Sequence, residues 1–395
     1  VADTAGRIEQ IQAQMEMLGI DAVVLRLAEN IVLATRWYVQ MPGLALVVVG
    51  RSGGATLLIP EYEAAEAAET WPGDIRTFPA IRNDGPAPGA EIERHLRDLA
   101  AEHDAVGGVV GFEGSFESVA PGSIHGEPNA VALPTRALLE RAFSAERLHD
   151  FTEPLEAMRA IKTDEEIESI RRTNEIAVFG LEAFKEHSVP GKTEVEVMAA
   201  VEHAIATRGH GYKGARCVRG FCTIFSGPDL AEGWKYWRAR TRPIEQDDVV
   251  MLELGTVADG YWSDHTRTVV AGTAGARLQE AYDAMRAAAG AGFAAAKPGV
   301  AGGEVDRVSR ETCAAAGFTQ FPHHTGHGTG FRYHESRPQL VPGGTDVLSA
   351  GNVIITEPGI YGSELNGGVR HEDDAVVTAG GAVVLATTDY PFDLS

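Results

Sequence analysis

The chain has 395 residues, 44% of them hydrophobic and 23% charged, with a formal net charge of −22. That length suggests two or three domains, and the composition is that of a soluble globular protein with enough apolar residues for a large core. The acidic balance argues against nucleic acid or an anionic membrane as partner, because both need a basic patch, and no run reaches the ~18 consecutive apolar residues that span a bilayer.

In chain order, the N-terminal VADTAGRIEQ is polar and lacks the layout of a signal peptide. Ile8, Ile11, Met15 and Leu18 keep helical spacing, and Gly19 is placed to cap that helix. Apolar runs at Asp21–Leu27, Leu44–Val49 and Ala55–Ile59 predict strands. Pro- and Gly-rich stretches interrupt the pattern at Asn83–Gly89 and Pro121–Pro128. The last elements of this small α/β domain run out near Arg147, which gives domains at residues 1–155 and 156–395.

The second part has a different rhythm. Thr163 with Glu166, and Thr193 with Glu196, form capping boxes ahead of two helices. The first of these carries the stripe Ile167, Ile170, Ala177, Leu181, Phe184. Strands follow near Cys217–Phe225, Val249–Leu254 and Tyr261–Val270. The order then repeats: a helix with Leu278, Tyr282 and Met285, another with Val305 and Val308, then strands near Asn352–Thr356 and Asp373–Val377. Helix, helix, strands, twice over, suggests two related halves about a pseudo-two-fold axis. The three cysteines, Cys217, Cys222 and Cys313, are irregularly spaced and read as small hydrophobes in a reducing cytoplasm.

Four segments carry candidate chemistry. In VVMLELGTVADGYWSDHTRTVV, a turn near Asp259 and Gly260 makes a hairpin, and a two-residue turn puts Glu253 and Asp264 on one face. An isolated acidic pair usually faces water, but Leu252, Leu254 and Trp262 make this hairpin read as buried. Buried side by side, two carboxylates need a cation between them or a shared proton. FPHHTGHGTGFRYHE holds His323, His324, His327 and His334, with Gly326 and Gly328 allowing close backbone approach beside His327. Glu357, at the end of the apolar run NVIIT, and Glu372, in GVRHEDDAVV, are charges at strand ends that need partners. Glu253, Asp264, His327, Glu357 and Glu372 make four carboxylates and one imidazole. That set suits two divalent ions, manganese, cobalt or zinc. Two such ions about 3.5–4 Å apart activate water and clamp a carbonyl for hydrolysis.

With these residues in hand, the chain resembles the pita-bread metallopeptidases: methionine aminopeptidase, aminopeptidase P and prolidase. GYWSDHTRT, HTGHGTG, TEPGIY and GVRHEDD match in order, AMRAIKTDEEIESIRRTNEI resembles the junction segment, and the first part resembles the creatinase-type N-terminal domain. The resemblance implies an α+β pita-bread domain behind a smaller α/β domain. It also implies a homodimer and a dinuclear centre, manganese foremost, with Asp264 and Glu372 bridging. Glu253 would complete one metal, and His327 with Glu357 the other. Glu357 would also shuttle the proton, and His323 and His334 would bind substrate and stabilise the tetrahedral intermediate. His324 has no family role and is expected to be structural.

Three departures stand out. Glu253 replaces the usual aspartate, Trp234 stands where a histidine follows the SGP-type segment, and Arg332 occupies a position that is acidic or apolar in many members. A dipeptidase must hold a free carboxylate, so Arg332, Arg337 and Arg370 are candidate clamps, with Trp234 an aromatic wall. Arg370 is alternatively a residue that orients Glu372. The expected activity is hydrolysis of the Xaa-Pro bond in dipeptides. The alternatives are aminopeptidase P activity on longer peptides, a non-peptidase hydrolase or lyase on the same fold, and a non-catalytic binding protein.

Overall fold

The computed structural model of the protein describes residues 2–40, 43–80, 87–115, 133–235, 238–318, 321–388 and 391–394. The expected breaks at Pro121–Pro128 and at Asn83–Pro86 lie outside the described residues; Pro88 opens the helix Pro88–Glu102 at its first turn. The described chain forms two compact units, one ending at Arg159 and the other beginning at Ala160. The helix Thr152–Ala160 therefore runs across the expected boundary at residue 155. Among the described residues no helix is long and apolar enough to cross a membrane.

The first unit is built on one mixed sheet. Its strands are β1 Ala22–Leu25, β2 Leu46–Gly50, β3 Ala55–Pro60, β4 Asp74–Phe78, β5 Val109–Phe112 and β6 Arg147–Asp150, in the order β4-β3-β2-β1-β5-β6. β1 to β3 are buried along their whole length, as continuous apolar runs are when both faces are covered. The N-terminal helix, Ala2–Leu18, ends as its sequence predicts. Gly19 adopts φ 67°, and the Ile20 amide donates to the Met15 carbonyl at 2.9 Å, a Schellman closure.

The second unit joins helix pairs to antiparallel sheets. Both capping boxes form, Thr163 with Glu166 and Thr193 with Glu196, opening the helices Asp164–His187 and Glu194–Gly209. This pair packs on the sheet β7-β8-β9, made of Val218–Ser226, Val249–Ala258 and Tyr261–Val270. The second helix pair is Ala276–Ala295 and Gly302–Ala315. The remaining strands are β10 Gly326–Gly328, β11 Glu335–Leu340, β12 Val353–Thr356, β13 Gly359–Gly362, β14 Gly367–Arg370, β15 Asp373–Thr378 and β16 Gly381–Val384. They make a five-stranded sheet, β11-β10-β12-β15-β16, and the hairpin β13-β14.

Alternation along β8 divides two cores. Val250, Leu252 and Leu254 pack with the first helix pair, while Val249 and Met251 pack with residues of the second. Glu253 continues the latter face, toward the interior between the sheets.

Candidate metal centre

The hairpin β8–β9 turns on Asp259 and Gly260, both in the left-handed region with φ 50° and 84°. The register pairs Glu253 with Thr266 and Gly255 with Asp264, so Glu253 and Asp264 share a face, diagonal to one another. Both are about as buried as an apolar core residue, each 1% exposed.

The other three candidates arrive on the five-stranded sheet. β10 places His327 between two glycines whose backbones pass against neighbouring strands. A Cβ at Gly326 would lie 1.9 Å from the Ile355 carbonyl oxygen, and one at Gly328 2.2 Å from that of Arg337. Thr356 of β12 pairs with Asp373 of β15, so Glu357 and Glu372 extend side by side from paired strands. Two contacts tie β9 to this sheet. The Glu372 amide donates to the Thr266 carbonyl at 3.1 Å, and the Asp264 amide donates to Asp374 Oδ1 at 3.2 Å.

The five side chains converge. Candidate ligand atoms of Glu253, Asp264 and Glu372 all lie within 4.8 Å of one another. His327 Nε2 is 3.4 Å from Glu357 Oε1 and 3.7 Å from Asp264 Oδ2. His327 Nδ1 lies 2.9 Å from its neighbour's carbonyl, that of Gly328; donating there fixes the tautomer and leaves the Nε2 lone pair facing inward.

The charges are arranged for a cation. Burial, reinforced by Glu253 and Glu357, lifts the Asp264 carboxyl well above its usual range. Burial with Glu253 and Asp264 does the same to Glu372, outweighing Arg370 at 3.0 Å. Burial would also raise Glu357, but His324, His327 and His323 hold it well below. Burial pushes His327 down to about 4, so its imidazole is neutral at pH 7. Asp264 Oδ1, Glu372 Oε2 and His327 Nε2 are buried with no hydrogen-bond partner. Such atoms are costly unless an ion meets them, so the donor set fits divalent metal.

The remaining site candidates separate. His334 Nε2 is 3.4 Å from Asp264 Oδ2, and its ring lies 3.8 Å from that of His327, tilted at 36°. His323 Nδ1 is 2.8 Å from the His324 carbonyl and its Nε2 is 3.0 Å from the Tyr361 hydroxyl, which Arg370 also reaches at 3.2 Å. Arg370 donates to Glu253 Oε2 and pairs with Glu372, so its guanidinium is engaged by the carboxylates themselves. Arg332 is buried in the loop before His334. Trp234 is 37% exposed beside Lys235. His324 is not a remote structural residue: its Nε2 stands 2.6 Å from Glu357 Oε1.

Sequence reasoning missed several supporting side chains. Tyr333 donates to Glu253 Oε1 and Thr266 to Glu253 Oε2, each at 2.7 Å. Asp374 accepts from Asn174 at 2.8 Å as well as from the Asp264 amide. Tyr333 alone had a signal, an aromatic residue directly before His334; the others are ordinary strand residues until the sheets meet.

Comparison with known proteins agrees with this geometry. Residues 168–379 match the model of metallopeptidase family M24, and residues 7–161 match the creatinase/prolidase N-terminal domain. An Xaa-Pro dipeptidase of Pyrococcus furiosus is 37% identical over 59% of this chain and 64% of its own. The prolidase structure from Pyrococcus horikoshii OT3 superposes with a TM-score of 0.78 at 26% identity, covering 98% of this chain and 99% of that one. An Xaa-Pro dipeptidase structure from Bacillus anthracis gives 0.80 at 25% identity over 99% of both. The pita-bread architecture, the creatinase-type first domain and the buried carboxylate–histidine set make one consistent picture, and the chain belongs to metallopeptidase family M24.

Proposed function

We propose that the protein is an Xaa-Pro dipeptidase that uses two divalent ions held by Glu253, Asp264, His327, Glu357 and Glu372. The observation that carries the metal-dependent reaction is the convergence of these five buried side chains, several with inward-facing atoms that no protein donor satisfies. The Xaa-Pro substrate rests on the relatives and neighbours that bear that name. When bound, the ions supply Lewis-acid polarisation of the scissile carbonyl and lower the cost of generating hydroxide at neutral pH.

The chain's own residues do the rest. Glu357, ionised by its histidine neighbours, accepts the proton of the attacking water and delivers it to the leaving imino nitrogen. His334 donates to the developing oxyanion. His323 is positioned by Tyr361 and the His324 carbonyl, with Arg370 behind Tyr361. Arg332 holds the free carboxylate of the dipeptide, and Trp234 forms an outer aromatic wall. Manganese as the ion, a homodimer and a cytoplasmic location belong to this reading as the family expectation.

The test is a comparison of Ala-Pro, Ala-Pro-Ala and Ala-Ala-Ala with manganese-loaded protein. Preferential cleavage of Ala-Pro is expected. Preference for Ala-Pro-Ala would move the activity to aminopeptidase P. No cleavage by metal-loaded protein would overturn the peptidase reading and turn attention to Glu253 and Trp234.

A further inference from the structure

We infer that the centre has two chemically different poles, and that His324, His327 and His334 form a nitrogen-rich pole suited to zinc, beside the oxygen-only pole of Glu253, Asp264 and Glu372. The inference rests on the metal-binding part of the proposed function and is independent of the peptide substrate.

Ring nitrogens of the three histidines lie within 4.8 Å of one another, the same closeness that groups the three carboxylates. The His327 and His334 rings lie close together, 3.8 Å apart and tilted at 36°, and His324 faces both. His324 stands edge-on to His327 at 85° and to His334 at 82°, with centroids 5.4 and 6.1 Å apart. Glu357 Oε1 sits where two of them aim, 2.6 Å from His324 Nε2 and 3.4 Å from His327 Nε2. His327 Nε2 is buried without a hydrogen-bond partner, while the buried His324 Nε2 and Glu357 Oε1 meet each other. His327 Nε2 belongs to a side chain only 2% exposed, and its tautomer is already set for ligation.

Imidazole nitrogens, alone or with a carboxylate, are usual protein donors to zinc. Imidazole favours zinc over manganese both by donor type and by the order of divalent affinities, whereas carboxylate oxygens suit manganese. His324 is what makes the difference. Without it the histidine side offers His327 and the partly exposed His334, whose Nε2 leans toward Asp264 Oδ2 at 3.4 Å.

The experiment titrates the metal-stripped, full-length protein with zinc and with manganese by calorimetry against a competing chelator, for wild type and His324→Gln. Wild type is expected to bind one zinc at least ~100-fold more tightly than its first manganese. His324→Gln is expected to weaken zinc by about tenfold or more and leave manganese within about twofold. An unchanged zinc-to-manganese ratio in the variant overturns the inference. X-ray absorption on wild type loaded with one zinc gives a second measurement that needs no variant. Two or three imidazoles per zinc are expected, and a single imidazole overturns the nitrogen-rich pole. Absence of binding by any ion would sink the metal centre itself. Tight zinc without Ala-Pro cleavage would sink only the peptidase reading.

Discussion

The Tyr333 hydroxyl donates to Glu253 Oε1 at 2.7 Å, which couples the residue before His334 to the one carboxylate that departs from the family aspartate. The extra methylene of Glu253 carries its carboxylate into reach of Tyr333, Thr266 and Arg370 together. Tyr333→Phe leaves that oxygen buried without its donor. It is expected to lower kcat/KM by about tenfold while the chain stays folded. Glu253→Asp shortens the side chain and breaks the same contact, so the double variant should fall well short of the product of the two single effects. Steady-state kinetics on the four proteins check this; full multiplicativity would show that the two residues do not act together.

Glu357 is the proposed proton carrier, and its amide is anchored to the Thr325 carbonyl at 2.7 Å independently of its side chain. Glu357→Gln should fold with an unchanged circular dichroism spectrum and lose activity by about 10²–10⁴-fold. A loss of less than tenfold, at saturating metal, would assign the proton to another group.

Lys162 and Glu335 form a buried ion pair at 2.6 Å, with side chains 0% and 3% exposed. Glu335 also accepts from the Phe331 amide at 2.8 Å, which pins the loop that carries Tyr333 and His334. Lys162→Met strands the carboxylate and is expected to cost about 3–5 kcal/mol. Adding Glu335→Gln should recover much of that loss. Chemical denaturation of the two variants decides: equal stability of single and double variants would mean that no charge was left stranded.

In the first unit, Glu113 accepts from the Arg26 and Leu27 amides and from Asn30, yet burial raises its carboxyl above the usual value. The native state therefore binds this proton more tightly than the unfolded chain. Stability from this group is present below the unfolded pKa and declines as pH rises through the folded one. Glu113→Gln should thus gain stability relative to wild type as pH rises from about 4 toward neutral, where unperturbed glutamate ionises. A relative stability that falls over that range would reverse the assigned direction.

Much of the second unit was legible because its signals are local. Both capping boxes form where Thr163 and Thr193 announce them, and the period-two argument alone put Glu253 and Asp264 on one face. The first unit was less readable. β4 runs Asp-Ile-Arg-Thr-Phe at the sheet edge with only Phe78 buried, so it lacks the apolar alternation that marks a strand. At the centre, the five candidate ligands stood out as charged or imidazole groups in apolar or glycine-rich settings. Their supports did not, because Thr266, Tyr361 and Asp374 gain meaning only once β9 is joined to the segment around Glu372. Arg370 could be read as a substrate clamp or as a partner of Glu372, and only its position between Glu253 and Glu372 shows what it touches. His324 passed as structural because the resemblance gave it no role; the fold brings its ring to Glu357 while His323 meets Tyr361.

The most direct measurement is the rate of Ala-Pro hydrolysis by wild type and Asp264→Ala, each stripped of metal and then resupplied with manganese or zinc, with bound metal counted by mass spectrometry. Expected is activity that vanishes on stripping, returns with metal in wild type alone, and accompanies about two ions per chain in wild type and fewer in the variant. Full activity in the stripped protein, or in Asp264→Ala, would contradict a reaction run by this centre.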